Sequence, residues 1–110
     1  LNQGSNDEMA HVMEQDISIK RWRGNIVFSG LEAWREFDWV GQQIRIGTAV
    51  LDIKEPITRC MAPTANPDTG QRDANILGTL IDRFGHQEFG IYATVVKSGH
   101  IKLGDSIEVV

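Results

Sequence analysis

The clearest structural pattern in this chain is the stretch Gln43-Ile44-Arg45-Ile46-Gly47-Thr48-Ala49-Val50-Leu51-Asp52-Ile53. Apolar and polar residues alternate from Gln43 to Ile46, which is typical of a half-buried strand. Gly47-Thr48 then separates this segment from a second apolar run at residues 49–53. The pattern therefore predicts a β-hairpin with a short turn.

Other segments on both sides of the hairpin are predicted to be strands. Residues 17–20 alternate apolar and polar side chains in the same way, and residues 25–28 form a short apolar run rich in β-formers. Three later segments are predicted to close the sheet: residues 91–96, 101–103 and 106–110.

Two helices are predicted as well. Ser5 and Glu8 have the spacing of a capping box, which predicts a helix over residues 6–15. Apolar residues at helical spacing predict an amphipathic helix over residues 74–84 that ends at Gly85. Residues 32–40 are predicted to form a short helix or turn. Most aromatic side chains are expected in the core: Trp22, Phe28, Trp34, Phe37, Trp39, Phe84, Phe89 and Tyr92.

The predicted fold class is mainly β (α+β), with two helices on a small closed or folded sheet. The length of 110 residues predicts one domain over residues 1–110. The 41 % hydrophobic and 24 % charged residues exclude a disordered or collagen-like chain. No run approaches the roughly 20 apolar residues of a membrane-spanning helix, and the polar, acidic start is unlike a signal peptide. We therefore expect a soluble, cytoplasmic protein with no membrane partner.

The charge distribution argues against nucleic-acid binding. The net charge is −4, and the first 16 residues carry four acids and no Lys or Arg. Proteins that follow nucleic-acid phosphates usually have a basic excess. The only basic cluster, residues 20–23, is too short for such a surface.

Common enzyme motifs are absent from the sequence. There is no Gly-rich phosphate loop and no set of paired cysteines for zinc. His11, His86 and His100 follow no ligand spacing, so each is expected to be a surface or loop residue. Asp68 and Asp73 flank a Pro-Asp-Thr-Gly turn, for which a structural role is the simpler interpretation.

Cys60 is the first candidate site residue. It follows Thr58-Arg59 at the end of a predicted strand and precedes a long loop. A guanidinium beside a cysteine favours the thiolate, which is the nucleophilic and metal-binding form. The alternative is that Cys60 is a small buried apolar side chain. As the single cysteine, it cannot form an internal disulfide, which fits a reducing compartment.

Arg21-Trp22-Arg23-Gly24-Asn25 is the second candidate. Two arginines at positions i and i+2 of an extended segment point to the same side, and guanidinium groups bind phosphate or carboxylate through two hydrogen bonds. Asn25 adds a donor and an acceptor. The alternative is a solvated strand end with Trp22 in the core.

Seven motifs occur in a family-like order: Arg21-Trp22-Arg23-Gly24-Asn25-Ile26-Val27, Glu36-Phe37-Asp38-Trp39, Ile46-Gly47, Arg59-Cys60, Asn66-Pro67-Asp68-Thr69-Gly70, Phe89-Gly90-Ile91-Tyr92 and Ile101-Lys102-Leu103-Gly104-Asp105. Together they resemble the MOSC domain, named after the C-terminal domain of molybdenum cofactor sulfurase. The resemblance is strongest to the branch of the mitochondrial amidoxime-reducing component and its bacterial relatives. It runs from about Ser5 to Val110.

This resemblance implies a β-barrel-like fold and a site around Cys60. In the reductase branch the matching cysteine supplies a thiolate to the molybdenum of a pterin-based cofactor, so Cys60 would be the metal ligand and catalytic residue. Arg23 and Asn25 match an Arg-Pro-Asn segment near the cofactor, although Gly24 stands where a proline is common. Thr58 and Arg59 match the residues before the ligand.

The resemblance also leaves three functions open. The first is an oxidoreductase that reduces N-oxygenated substrates and receives electrons from a donor protein. The second is a non-catalytic sulfur carrier or cofactor-binding module that uses Cys60 with a sulfur-transfer partner. The third is a cofactor-free remnant of the fold. Relatives usually have earlier strands, so this chain is expected to be truncated or reduced, and sheet edges left open favour a homodimer.

Overall fold

The computed structural model describes all residues, 1–110, as a helical layer packed on an antiparallel sheet. The helices are α1 (Gln3–Met13) and α2 (Ile76–Thr79), and α2 continues as a π-helical turn over Leu80–Phe84. The strands are β1 (Gln43–Ile46), β2 (Ala49–Thr58), β3 (Glu88–Lys97) and β4 (Ile107–Val109). Short 3₁₀ helices span Ile19–Trp22, Arg35–Trp39 and Ala62–Thr64.

The sheet has the order β3-β2-β1-β4, and every neighbouring pair is antiparallel. The predicted hairpin is confirmed: Ile44 pairs with Leu51 and Ile46 with Ala49. The α+β class with two helices is also confirmed. The expectation of a closed, barrel-like sheet is wrong for this chain, because closure needs pairing around a full circle. Here β3 and β4 remain at opposite edges.

Two apolar clusters hold the layers together. The larger contains Leu1, Met9, Ile17, Trp22, Ala74, Ile76, Leu80 and Phe89, and the smaller contains Ile44, Ile46 and Ile53 on the sheet. The rings of Trp22 and Phe89 stack at 3.6 Å between centroids, with 1° between their planes. The expectation that most aromatic side chains lie in the core is only partly met: Trp22 and Phe89 are buried, five others are half-buried and Tyr92 is exposed.

Helix α1 begins earlier than the capping box predicts. Asn2 is the N-cap, and its Oδ1 accepts a 2.9 Å hydrogen bond from the Gly4 N–H. Ser5 is diverted to tertiary contacts: its hydroxyl donates to the fully buried Glu36 carboxylate at 2.9 Å and accepts from the Trp34 N–H at 2.9 Å. The hydrogen bond of Ser5 with the distant Glu36 thus replaces the predicted capping interaction with Glu8.

Three predicted strands are wrong. Residues 17–20 lead into a 3₁₀ helix because the Ser18 hydroxyl accepts a hydrogen bond from the Lys20 N–H at 3.2 Å, which caps a turn. Residues 25–28 contribute only an isolated bridge between Phe28 and Asn2. Residues 101–103 have no strand partner and precede a turn.

The second predicted helix and its end are confirmed, although the helix begins two residues later and its last turn is π-helical. Gly85 has a φ of +73° and its N–H donates to the Ile81 carbonyl at 3.1 Å, a left-handed C-cap that favours glycine. Neither helix has the length or the apolar character that crossing a lipid bilayer requires.

Candidate functional site

Cys60 lies just beyond the end of β2, with an exposed and unpaired thiol. The backbone of the preceding residue, Arg59, is held by hydrogen bonds at its N–H and at its carbonyl. The Arg59 N–H donates to the Gln87 carbonyl at 2.8 Å, and Gln87 Nε2 donates to the Arg59 carbonyl at 2.9 Å. The interpretation of Cys60 as a buried core residue is therefore wrong. Its thiol is presented to solvent from a well-held strand end.

The Arg59 side chain returns from this strand end into the molecule. Its Nε donates to the Phe89 carbonyl and its Nη1 to the Trp22 carbonyl, both at 2.9 Å. The guanidinium carbon lies 5.4 Å from the centroid of the Trp22 ring, within the range of a cation–π contact. Nη2 is buried and has no hydrogen-bond partner. The Nη2 amino group of Arg59 is therefore a donor without an acceptor.

Burial lowers the pKa of the Arg59 guanidinium, while the neighbouring Tyr92 and Cys60 side chains oppose that shift because their anionic forms attract the cation. Arginine stays protonated in proteins at physiological pH. A partly desolvated positive charge therefore lies near the Cys60 thiol.

Gly90 of β3 is a site residue for which the sequence predicts no role beyond its place in the motif Phe89-Gly90-Ile91-Tyr92. Its φ is +82°, and a Cβ at this position would lie 3.2 Å from Arg59 Nη2 and 2.7 Å from Leu1 Cδ2. The positive φ and the close approach to the Leu1 and Arg59 side chains favour glycine at this position. A glycine inside a strand pattern is the signal that could have identified it.

Arg23 and Asn25 lie next to the Trp22 carbonyl that binds Arg59. Both are exposed, and neither side chain makes an ion pair or a hydrogen bond within the chain. They line the rim of an open, mainly apolar cavity of about 340 Å³ on the sheet, together with Tyr92. Cys60 does not line this cavity. The structure thus brings the two candidate segments side by side but leaves the thiol outside the cavity.

Arg21 diverges from Arg23, so the expectation that both face the same side is wrong. Arg21 belongs to the 3₁₀ helix and its side chain is only 3 % exposed, whereas Arg23 ends that helix with a left-handed φ of +54° and faces solvent. Arg21 forms a 2.6 Å ion pair with Asp73. The period of two that applies to a strand does not hold in a 3₁₀ helix.

The loop after Cys60 contains the predicted turn. Asn66 Oδ1 accepts hydrogen bonds from the N–H groups of Asp68 and Thr69 at 2.8 and 3.3 Å, and the Gly70 N–H donates to the Asn66 carbonyl at 2.8 Å. Hydrogen bonds from Asn66 and Arg21 lower the pKa of the Asp73 carboxyl. Asp68 thus lies in the turn and Asp73 in hydrogen bonds that hold the loop, which agrees with the structural interpretation of both residues.

The other residues discussed from the sequence, Thr58 and the three histidines, do not form a second cluster of functional side chains. Thr58 is the exposed last residue of β2, His11 and His100 are exposed, and His86 packs edge-on against Trp34 at 4.7 Å. No group of three His, Cys, Asp or Glu side chains is arranged to bind a metal ion. This chain therefore offers no set of three side-chain ligands, and a metal bound by Cys60 would need ligands from another group. That donor set fits a soft metal that arrives with its other ligands already in a cofactor.

Comparison with known proteins gives a consistent family. The sequence profile of the MOSC domain matches residues 1–108. "Molybdenum cofactor sulfurase 2" of Culex quinquefasciatus is 30 % identical over 93 residues, which cover 84 % of this chain and 12 % of the relative. "Mitochondrial amidoxime reducing component 2" of Bos taurus is 28 % identical in an alignment of 119 positions, which covers 97 % of this chain and 35 % of the relative.

A solved structure has the same fold. The crystal structure of YiiM from Geobacillus stearothermophilus superposes with a TM-score of 0.67 and 18 % sequence identity, over 99 % of this chain and 51 % of the other. The chain thus spans about a third or less of these curated relatives and about half of the solved one.

Proposed function

The chain belongs to the MOSC domain family, and from this premise we propose that Cys60 ligates the molybdenum of a pterin-based cofactor in a reductase of N-oxygenated substrates. Relatives named for amidoxime reduction and for molybdenum cofactor sulfuration support this proposal. Because this chain spans only part of each relative, the activity is proposed for the protein to which these residues belong.

The observation that carries the proposal is the hydrogen bond from Arg59 Nη1 to the Trp22 carbonyl. It places the exposed Cys60 strand end beside the Arg23–Asn25 segment. Buried Arg59 Nη2 remains without an acceptor, and the Arg23 and Asn25 side chains have no partner within the chain. Unused donors on the segment that is joined to the Cys60 strand end fit a metal group that carries anionic substituents.

Each residue has a distinct role in this proposal. Cys60 provides a thiolate to the metal, since soft thiolates bind metals of this kind better than hard oxygen ligands do. Arg23 and Asn25 bind the cofactor's anionic and polar groups, and Thr58 offers a hydroxyl at the strand end. Arg59 places a positive charge at the strand end that precedes Cys60 and would attract anionic groups of the cofactor.

When bound, the cofactor supplies the redox chemistry that no side chain of this site can perform. The overall reaction is balanced by two electrons and two protons: the N–O bond of an N-hydroxylated substrate breaks, the nitrogen gains a proton, and the oxygen leaves as water. The electrons come from a separate donor protein. The Arg23, Asn25 and Cys60 side chains would hold the cofactor in place during the reaction.

A sulfur carrier is the second candidate function, favoured by the sulfurase relative at 30 % identity and by the exposed thiol. In this case the Cys60 thiolate takes the outer sulfur of a persulfide on a donor protein, which is left as a thiol. A nucleophilic group of the acceptor protein then takes this sulfur, and Cys60 returns to the thiolate. This role needs an accessible nucleophilic cysteine and no bound metal.

The experiment compares wild type, Cys60→Ser and Arg83→Ala after production in a cofactor-competent host. Arg83 is an exposed arginine outside the site. We expect reduction of an N-hydroxylated amidine, with a reduced viologen as electron donor, for wild type and Arg83→Ala but not for Cys60→Ser. Persulfide on Cys60 without reductase activity would favour the carrier, and neither property would leave the cofactor-free remnant.

A further inference from the structure

We propose that Arg21 is a positioning residue that fixes the loop after Cys60 and so sets the direction in which the thiol is presented. The inference rests on the proposed function for its purpose, but its geometry is independent of any bound group. Arg21 lies in the 3₁₀ helix Ile19–Trp22, whereas Cys60 follows β2. The contact between them is made through the loop and not through the thiol.

The chain on the C-terminal side of Cys60 has little support of its own. Its regular structure consists of the 3₁₀ helix Ala62–Thr64 and one isolated bridge between Ala65 and Arg72. Residues 67–73 are exposed. Pro63 and Thr64 are buried, but the exposed part at residues 67–73 has the few buried contacts that are typical of the least stable part of a fold. Its position therefore depends on the side chains that bind it.

Arg21 makes these contacts. Its Nη1 donates to the carbonyls of Pro63 and Thr64 at 3.3 and 3.2 Å, and its Nη2 donates to Asp73 Oδ1 at 2.6 Å. One buried guanidinium thus connects the beginning of the loop with its end. Because a buried cation without partners is costly, this arrangement strongly favours one loop position.

Asp73 completes the attachment. Its Oδ2 accepts a 2.8 Å hydrogen bond from Asn66 Nδ2, and its backbone N–H donates to the Thr64 carbonyl at 3.3 Å. Asn66 in turn caps the turn at residues 66–70. The Arg21–Asp73 pair therefore holds both arms of the loop together.

The same short segment also controls the N-terminal side of Cys60. The Trp22 carbonyl, adjacent to Arg21, accepts a hydrogen bond from Arg59. Residues 21–22 are thereby attached to the chain directly before Cys60 and to the helix directly after it. Cys60 lies between these two attachments, so its backbone has little freedom to rotate.

A nitroxide spin label on Cys60, the single cysteine, measures this freedom directly. The variants are Asp73→Asn, Asp73→Glu and Arg21→Lys. Glu108→Gln is the matched control, because it breaks an exposed arginine–carboxylate pair with Arg45 on strands away from the loop. Asp73 is 42 % exposed, so Asp73→Asn is expected to fold even if Arg21→Lys does not.

We expect the ratio of mobile to ordered label to rise about tenfold in Asp73→Asn, the change expected for losing one charged hydrogen bond. Asp73→Glu should restore most of the order, and Glu108→Gln should leave the spectrum unchanged. A lower stability with an unchanged label spectrum in Asp73→Asn would show that the pair is only structural and would overturn the proposal. The result does not depend on molybdenum, so it remains informative if the proposed function fails.

Discussion

The guanidinium of Arg59 donates a 2.9 Å hydrogen bond to the backbone carbonyl of Trp22, and this bond joins the two segments that carry the candidate site. A second 2.9 Å bond from the same group reaches the Phe89 carbonyl in β3. A single side chain therefore connects the end of β2, the segment before Arg23 and the neighbouring strand. The placement of the site depends on this residue.

Replacing Arg59 with Met should lower the free energy of unfolding by about 2 kcal/mol or more, because two carbonyls lose their donor. Urea denaturation measures the change. Arg35→Met is the control, since its ion pair with Asp38 is exposed and is expected to contribute below about 1 kcal/mol. Equal losses in the two variants would contradict the role assigned to Arg59.

Replacing Glu36 with Ala should also destabilise the protein. The Glu36 carboxylate is fully buried and accepts hydrogen bonds from Asn2 Nδ2 at 2.8 Å and the Ser5 hydroxyl at 2.9 Å. Each donor left unsatisfied costs about 1–3 kcal/mol. Thermal unfolding of this variant is compared with that of Glu55→Ala, an exposed glutamate of β2. Similar midpoints would show that the buried contacts contribute little.

Asp73 should give the protein an acid-dependent part of its stability. Hydrogen bonds from Asn66 and Arg21 lower its pKa in the folded state below the ordinary value of 3.8. A lowered carboxyl pKa means that the stabilisation is present above pH 3.8 and is lost as the pH falls through the folded-state value. Asp73→Asn should flatten the stability profile in this acidic range. Identical profiles for wild type and variant would contradict the prediction.

The sequence predicts the parts of the fold that follow from local pattern. The hairpin at Gly47-Thr48 and the helix end at Gly85 are both correct, because turn and cap chemistry is set within a few residues. The start of α1 is not predicted, since Ser5 is diverted by Glu36, more than 30 residues away. Such a competition is invisible to a local motif.

The sequence likewise predicts only part of the candidate site. Cys60 and Arg59 could be found because they follow a strand pattern and precede a turn. The divergence of Arg21 and Arg23 could not, because the apparent extended segment folds into a 3₁₀ helix. Trp39→Ala is expected to cost less than the about 3–5 kcal/mol of a fully buried aromatic, since Trp39 is half-buried and packs against the sheet cluster.

Cys60 should react with a thiol reagent in the native protein, because its side chain is exposed. Alkylation followed by mass spectrometry should show one modification per chain without denaturant. Cys60→Ser should remove the modification and leave the unfolding midpoint close to that of wild type. A thiol that reacts only after denaturant is added would contradict the exposed position.

The open sheet edges should allow two copies of the chain to associate. Val95 and Val96 on edge strand β3 are 65 % and 55 % exposed, and uncovered edges favour pairing with another chain. Light scattering should detect a dimer at high concentration, and Val96→Lys should shift it toward monomer. Leu103→Lys, in an exposed turn, is the control. A wild-type monomer at every concentration would contradict this proposal.

The molybdenum content of the purified protein shows whether Cys60 is the metal ligand. Wild type, Cys60→Ser and Arg83→Ala are produced in a cofactor-competent host and measured by elemental analysis beside their protein concentration. Wild type and Arg83→Ala should contain molybdenum near one atom per chain, and Cys60→Ser should lose most of it with folding preserved. Equal molybdenum in Cys60→Ser and wild type, or none in wild type, would contradict the assignment of Cys60 as the metal ligand.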